Sequence, residues 1–150
     1  MKPLLLPGTV AGRLRVSHWR IIVTGASGWL GQAALELLVG TLGEGWQERV
    51  VAFGSGPREW LLRDGTRVAQ RPLAELPTLE PAPSLLLHFA YLTREKTSAM
   101  PVESYIATNR AISRLAAEGG AMTSARGSAA LSMPGSVTNC VGGSATPSAR

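Results

Sequence analysis

The apolar residues of this chain gather in a few dense blocks, separated by connections rich in glycine and proline. Residues 20–24, Arg-Ile-Ile-Val-Thr, make a β-branched run. An apolar run without alternation predicts a strand covered on both faces. Residues 29–39 change period: Leu30, Ala34, Leu37 and Leu38 recur at helical spacing. Gly40, Gly43 and Gly45 predict the end of that helix. A second strand is predicted over residues 49–53 and stops at Gly54-Ser55-Gly56-Pro57. Residues 58–63 predict a short helix, and residues 66–69 a weak third strand. Pro72, Pro77, Pro81 and Pro83 predict a long loop with little regular structure. Residues 84–90 predict a strong fourth strand. Residues 102–118 predict a helix with Tyr105, Ile106, Ile112, Leu115 and Ala116 on its inner side.

Strands alternating with helices imply right-handed βαβ crossovers. The expected class is α/β: a Rossmann-type doubly wound parallel sheet, incomplete at four strands, with a poorly ordered C-terminal tail. Three stretches follow. Residues 1–18, where Pro3 and Pro7 interrupt a short apolar start, are expected to be a flexible lead-in. Residues 19–118 form the folded, nucleotide-binding part. From Gly119 to Arg150, Gly, Ala, Ser and Thr make up 21 of 32 residues, with no acidic or aromatic side chain. Such a stretch buries little apolar area to offset the entropy of ordering. Its one plausible strand lies at residues 129–133.

Composition narrows the class further. Among 150 residues, 45% are hydrophobic and 17% charged, which fits a globular chain. No run of 18 apolar residues occurs, so no membrane contact is expected. The net charge of +5 is spread along the chain among acidic residues, without the clustered patch of a nucleic-acid surface. Cys140 is the single cysteine, which excludes an internal disulfide framework and points to a reducing, cytoplasmic setting. His18 and His88 are far apart in sequence, so no metal cluster is predicted. His88, in an apolar strand, reads as a packed residue. Asp64 is the only aspartate, and no Ser-His-Asp set can be argued.

The chemistry concentrates in Thr24-Gly25-Ala26-Ser27-Gly28-Trp29-Leu30-Gly31, between the first strand and its helix. A helix N-terminus presents unpaired N–H groups and a partial positive charge, which suit a pyrophosphate. Gly25 allows the tight turn, Gly28 the close approach of phosphate, and Gly31 the packing of helix on sheet. Ser27 can add a hydroxyl. The strand before the glycines and the helix after them separate this pattern from an ordinary glycine turn.

Thr24-Gly25-X-X-Gly28-X-X-Gly31 resembles the fingerprint of the short-chain dehydrogenase/reductase superfamily, and most of all its extended branch, the NAD-dependent epimerase/dehydratase family. His88-Phe89-Ala90 resembles that family's fourth strand, and Tyr105 through Asn109 its next segment. The likeness runs from about Arg20 to Glu118. It implies NAD or NADP as cofactor. Gly25, Ser27, Gly28, Trp29, Leu30 and Gly31 would hold the pyrophosphate, while Ala90, Tyr91 and Asn109 would line the nicotinamide side. The second strand ends without a carboxylate; Ser55 and Arg58 stand there instead and tilt the reading toward NADP. Gln70-Arg71-Pro72-Leu73 occupies the stretch where the family usually has an aspartate near adenine.

The resemblance also implies a catalytic tyrosine with a lysine four residues later, and a fifth-strand serine or threonine. Neither Tyr91 nor Tyr105 has that lysine; Lys96 follows Tyr91 by five. Tyr105 reads as a core residue of its helix, and Ser132 matches only loosely. No catalytic residue is therefore assigned. Family members are longer and carry a substrate-binding part. The expected function is the NAD(P)-binding part of an epimerase/dehydratase- or reductase-type enzyme, truncated and inactive alone, with a small-molecule substrate in a full-length relative. The alternative is a non-catalytic nucleotide-binding or redox-sensing interaction module.

Overall fold

The computed structural model describes residues 5–93, 99–123 and 130–131. Helix α1 (Gly8–Val16) precedes strand β1 (Arg20–Thr24), which leads into helix α2 (Trp29–Leu42). Strand β2 (Val50–Gly54) follows, then a hairpin of β3 (Arg58–Leu61) and β4 (Arg67–Pro72). Strand β5 (Ser84–His88), helix α3 (Val102–Thr123) and the two-residue strand β6 (Ala130–Leu131) complete the order. The six strands form one sheet, β3-β4-β2-β1-β5-β6. All neighbouring pairs are parallel except β3 with β4.

Side-chain alternation along β1 divides the core into two layers. Ile21 and Val23 face α2, where Leu35, Leu38, Ala52, Val68 and Trp46 close around them. Ile22 faces the other way, into a smaller cluster with Phe53 and Leu76. Ile21, Ile22, Val23 and Phe53 are completely buried. Each contributes about 1.5–3 kcal/mol relative to exposure. The chain is thus an α/β protein whose mostly parallel sheet carries helices on both faces. That arrangement is compatible with a Rossmann-like fold.

Several local expectations change. The stretch expected as a flexible lead-in contains α1. Pro7 accepts the N–H groups of Val10 and Ala11, and Ala11 is buried. Arg15 Nε donates to the Thr41 carbonyl near the end of α2, at 2.8 Å. Tertiary anchoring outweighs the weak helix propensity of Gly8 and Gly12.

Residues 58–63 hold a strand, not a short helix. Asp64-Gly65 turns the chain back: Gly65 has φ +86°, and the Thr66 N–H donates to Asp64 Oδ1 at 2.9 Å. An Asp-Gly pair between two short runs is a hairpin signal. The proline-rich stretch holds a 3-10 turn over Leu73–Thr78, whose Leu76 is fully buried. Helix α3 passes the expected boundary at residue 118, because Gly119 and Gly120 are buried there. Ile106 is exposed rather than inward. Two of the five residues expected as a tail strand form β6, which adds parallel to β5. Residues 132–150, with Ser132 and Cys140, lie outside the described residues.

Candidate functional site

β1 is flanked by two parallel neighbours, β2 and β5, reached by crossovers on opposite faces. The carboxyl ends of β1 and β5 therefore border a topological switch point, the usual location of ligands in open α/β sheets. The β1–α2 turn sits there. Gly25 has φ +70°, and a Cβ on it would stand 2.5 Å from the Phe89 carbonyl carbon and 2.6 Å from the Ala90 nitrogen. Only glycine fits both conditions. A Cβ on Gly31 would overlap the Gly25 carbonyl and Ala26 backbone. The turn is closed by Gly28 N–H donating to Gly25 O at 3.0 Å.

Gly28 is the N-cap of α2; no side chain caps the helix, and no acidic residue lies in its first turn. The N–H groups of Trp29, Leu30 and Gly31 thus open the helix without an intrahelical acceptor. The Ser27 carbonyl accepts from Gln32 Nε2 at 2.9 Å, which holds the turn against α2. Trp29 is 80% exposed at the rim. Gly25, Ser27, Gly28, Trp29, Leu30 and Gly31 are therefore together, as a backbone-lined cradle with an uncompensated positive helix end.

Ala90 follows β5 and meets this cradle through the Gly25 contact, and Tyr91 comes next in the chain. Asn109 is expected to line the nicotinamide side. It is buried on α3, and its amide is engaged with the backbone of Leu92: Oδ1 accepts from Leu92 N–H at 2.8 Å and Nδ2 donates to Leu92 O at 3.2 Å. Asn109 fixes the loop that carries Ala90 and Tyr91. Tyr105 is not a core residue. Its hydroxyl donates to the Tyr91 hydroxyl at 2.6 Å, with the rings edge to face. These tyrosines are fourteen residues apart, and nothing local in the sequence announces the pair.

Ser55 and Arg58 lie at the carboxyl end of β2, both exposed. Arg58 heads β3 in register with Gln70. Gln70 is buried beneath this turn; its Nε2 donates to Gly56 O at 2.7 Å, and its Oε1 has no partner among the described residues. Arg71 stacks on Phe53 and pairs with Glu75 at 2.9 Å. Sequence reasoning missed Gln70, although a polar residue two places from buried Val68 in a strand is a signal of an inward amide.

Beneath the cradle, fully buried Thr24 bonds His88 across the sheet, Oγ1 to Nδ1 at 2.6 Å. His88 Nε2 lies 3.4 Å from Ser113 Oγ on α3. Burial holds the His88 imidazole below its ordinary pKa and favours the neutral ring. Among the described residues, no group of His, Cys, Asp and Glu can hold a metal ion. Lys2 and Lys96 lie outside the described residues, so the tyrosines meet no lysine within them. No described helix is long and apolar enough to cross a membrane. Comparison of the chain with protein-family models, curated proteins and solved structures returns no match.

Proposed function

We propose that the chain is the NAD(P)-binding part of an epimerase/dehydratase- or reductase-type enzyme. The observation that carries this reading is the Gly25 turn, left-handed and pressed on the Phe89–Ala90 backbone at the switch point, ahead of an uncapped helix. Those features fit a pyrophosphate: unpaired N–H groups and no carboxylate to repel it. Gly25, Ser27, Gly28 and the N–H groups of Trp29, Leu30 and Gly31 would hold it. Ser55 and Arg58 would face the adenosine ribose, with Arg58 favouring a 2′-phosphate. Ala90 and Tyr91 would border the nicotinamide, and Asn109 would position them. A bound nicotinamide supplies hydride transfer. No lysine follows Tyr91 or Tyr105 by four residues to help move the accompanying proton, so binding without turnover is expected.

Titration with NADP and NAD, followed through the fluorescence of exposed Trp29, tests the reading. A Cβ on Gly28 would stand a tight 3.2 Å from Gly25 O, so a thermal melt of Gly28→Val must show that the fold persists while its branches crowd the N–H groups. The expected result is saturable binding, tighter for NADP, weakened at least about tenfold by Gly28→Val; loss of a charged hydrogen bond alone accounts for that much. Equal binding by both chains would refute the assignment. Tighter binding of NAD would remove only the role given to Arg58.

A further inference from the structure

The right-handed crossovers leave one part of the sheet without a helix. α2 covers β1 and β2 on one face, while α3 lies on the other face beside β5. On the α2 side, Leu85, Leu87 and Phe89 therefore look into a groove of about 800 Å³. Its far wall is Ala34 and Leu37 of α2, and α1 with Trp19 forms the remaining side. Its lining is mostly aliphatic, with Trp19 and Phe89 as aromatic members.

Two side chains break this apolar lining, Arg13 and Ser17. Ser17 is satisfied: its hydroxyl donates to Leu14 O at 3.0 Å and accepts from Arg49 at 3.1 Å. Arg13 is different. It is exposed at the groove and makes no ion pair with any carboxylate among the described residues. An apolar channel with one unpaired cation complements a molecule with an apolar chain and one negative end. The volume is that of small-molecule pockets, roughly 300–1,000 Å³. A stable protein interface needs about 800 Å² on each partner, more than a groove one helix wide presents.

We propose that this groove binds a single-chain anionic amphiphile of the fatty-acid class. Its chain lies along Leu37, Leu85, Leu87 and Phe89, and its carboxylate pairs with Arg13. The groove borders the glycine cradle, since Leu30 and Phe89 also line it, but its occupant needs no dinucleotide.

Calorimetric titration of the full chain with dodecanoate, decanoate and dodecanol, each below its micelle threshold, tests this. Dodecanoate is expected to bind at one site, about tenfold tighter than decanoate, from two further buried methylenes. Arg13→Gln, at an exposed position, is expected to weaken dodecanoate about tenfold and leave dodecanol unchanged. Ala34→Phe fills the groove and is expected to abolish both, with its thermal melt showing that the fold persists. The proposal is overturned if dodecanoate fails to bind the wild-type chain, or if its affinity is the same in Ala34→Phe or Arg13→Gln. It is equally overturned if sedimentation shows a dimer that Ala34→Phe dissociates and dodecanoate does not affect.

Discussion

Two turns at the same edge of the sheet use glycine against different obstacles. After β1, Gly25 is backed by main chain, the carbonyl of Phe89 and the nitrogen of Ala90. After β2, Gly54 is backed by a side chain, since a Cβ there would overlap the Gln70 amide. The Phe89–Ala90 main chain directly follows β5 and is tied to β1 by the Phe89 N–H donating to Thr24 O at 3.0 Å, so it cannot retreat without breaking this bond. A glutamine can change rotamer, at the cost of its bond to Gly56. The first turn is therefore fixed by the topology of the whole sheet, while the second is set by one residue.

The sharpest way to break this comparison is Gly25→Ala. It adds a contact against backbone at 2.5 Å and forces alanine to φ +70°. Overpacking and left-handed strain each cost about 1–3 kcal/mol, so the expected loss is roughly 2–6 kcal/mol. Urea unfolding at constant m-value measures it. A loss below about 1 kcal/mol would mean that the sheet relaxes around the turn, and the contrast would fail.

A smaller effect is expected at the second turn. Gly54→Ala should cost about 1–3 kcal/mol through overpacking. Shortening Gln70 to Ser removes the obstacle, so the double variant should be more stable than the sum of the two single losses. A positive coupling in the double-mutant cycle is the diagnostic. Strict additivity would show that Gln70 is not what confines Gly54.

The same distinction separates what could be read from the sequence and what could not. β1, β2 and β5 announce themselves because Ile21, Ile22, Val23, Val50, Val51 and the Leu85–Leu87 run are apolar on both faces of a buried strand. The glycine cradle announces itself because three glycines at fixed spacing follow such a strand. β3 was hidden: its burial is slight, so Arg58, Glu59 and Trp60 carry no period, and only Asp64-Gly65 marks the hairpin. α1 was hidden because it is held by burial of Ala11 and by Arg15 meeting α2, a contact between residues far apart in sequence. Asn109 was found as a residue but not as a clamp on Leu92, and the Tyr91–Tyr105 pair was not found at all. Side chains that act by bonding across the fold leave no local pattern.

The least effect concerns what supports the first turn from below. Thr24 precedes Gly25, and its hydroxyl is tied to His88 across β1 and β5 at 2.6 Å. Burial lowers the His88 pKa from the ordinary 6.5. The sign follows from which state takes the proton first. Well above pH 6.5 the imidazole is neutral folded or unfolded, and His88 adds no pH dependence. As pH falls below that value, the unfolded chain is protonated while the folded chain resists, so stability drops until the folded value is reached. Carboxylates also titrate in acid, and the comparison must cancel them. The wild-type chain and His88→Gln should therefore be melted side by side at pH 8 and pH 5.5. Glutamine keeps a hydrogen-bonding group near Thr24 but cannot take up the proton. The wild type is expected to lose more melting temperature between the two conditions than His88→Gln does. Equal losses would show that His88 takes up its proton without opening the sheet, and that the first turn does not rest on a half-buried neutral ring.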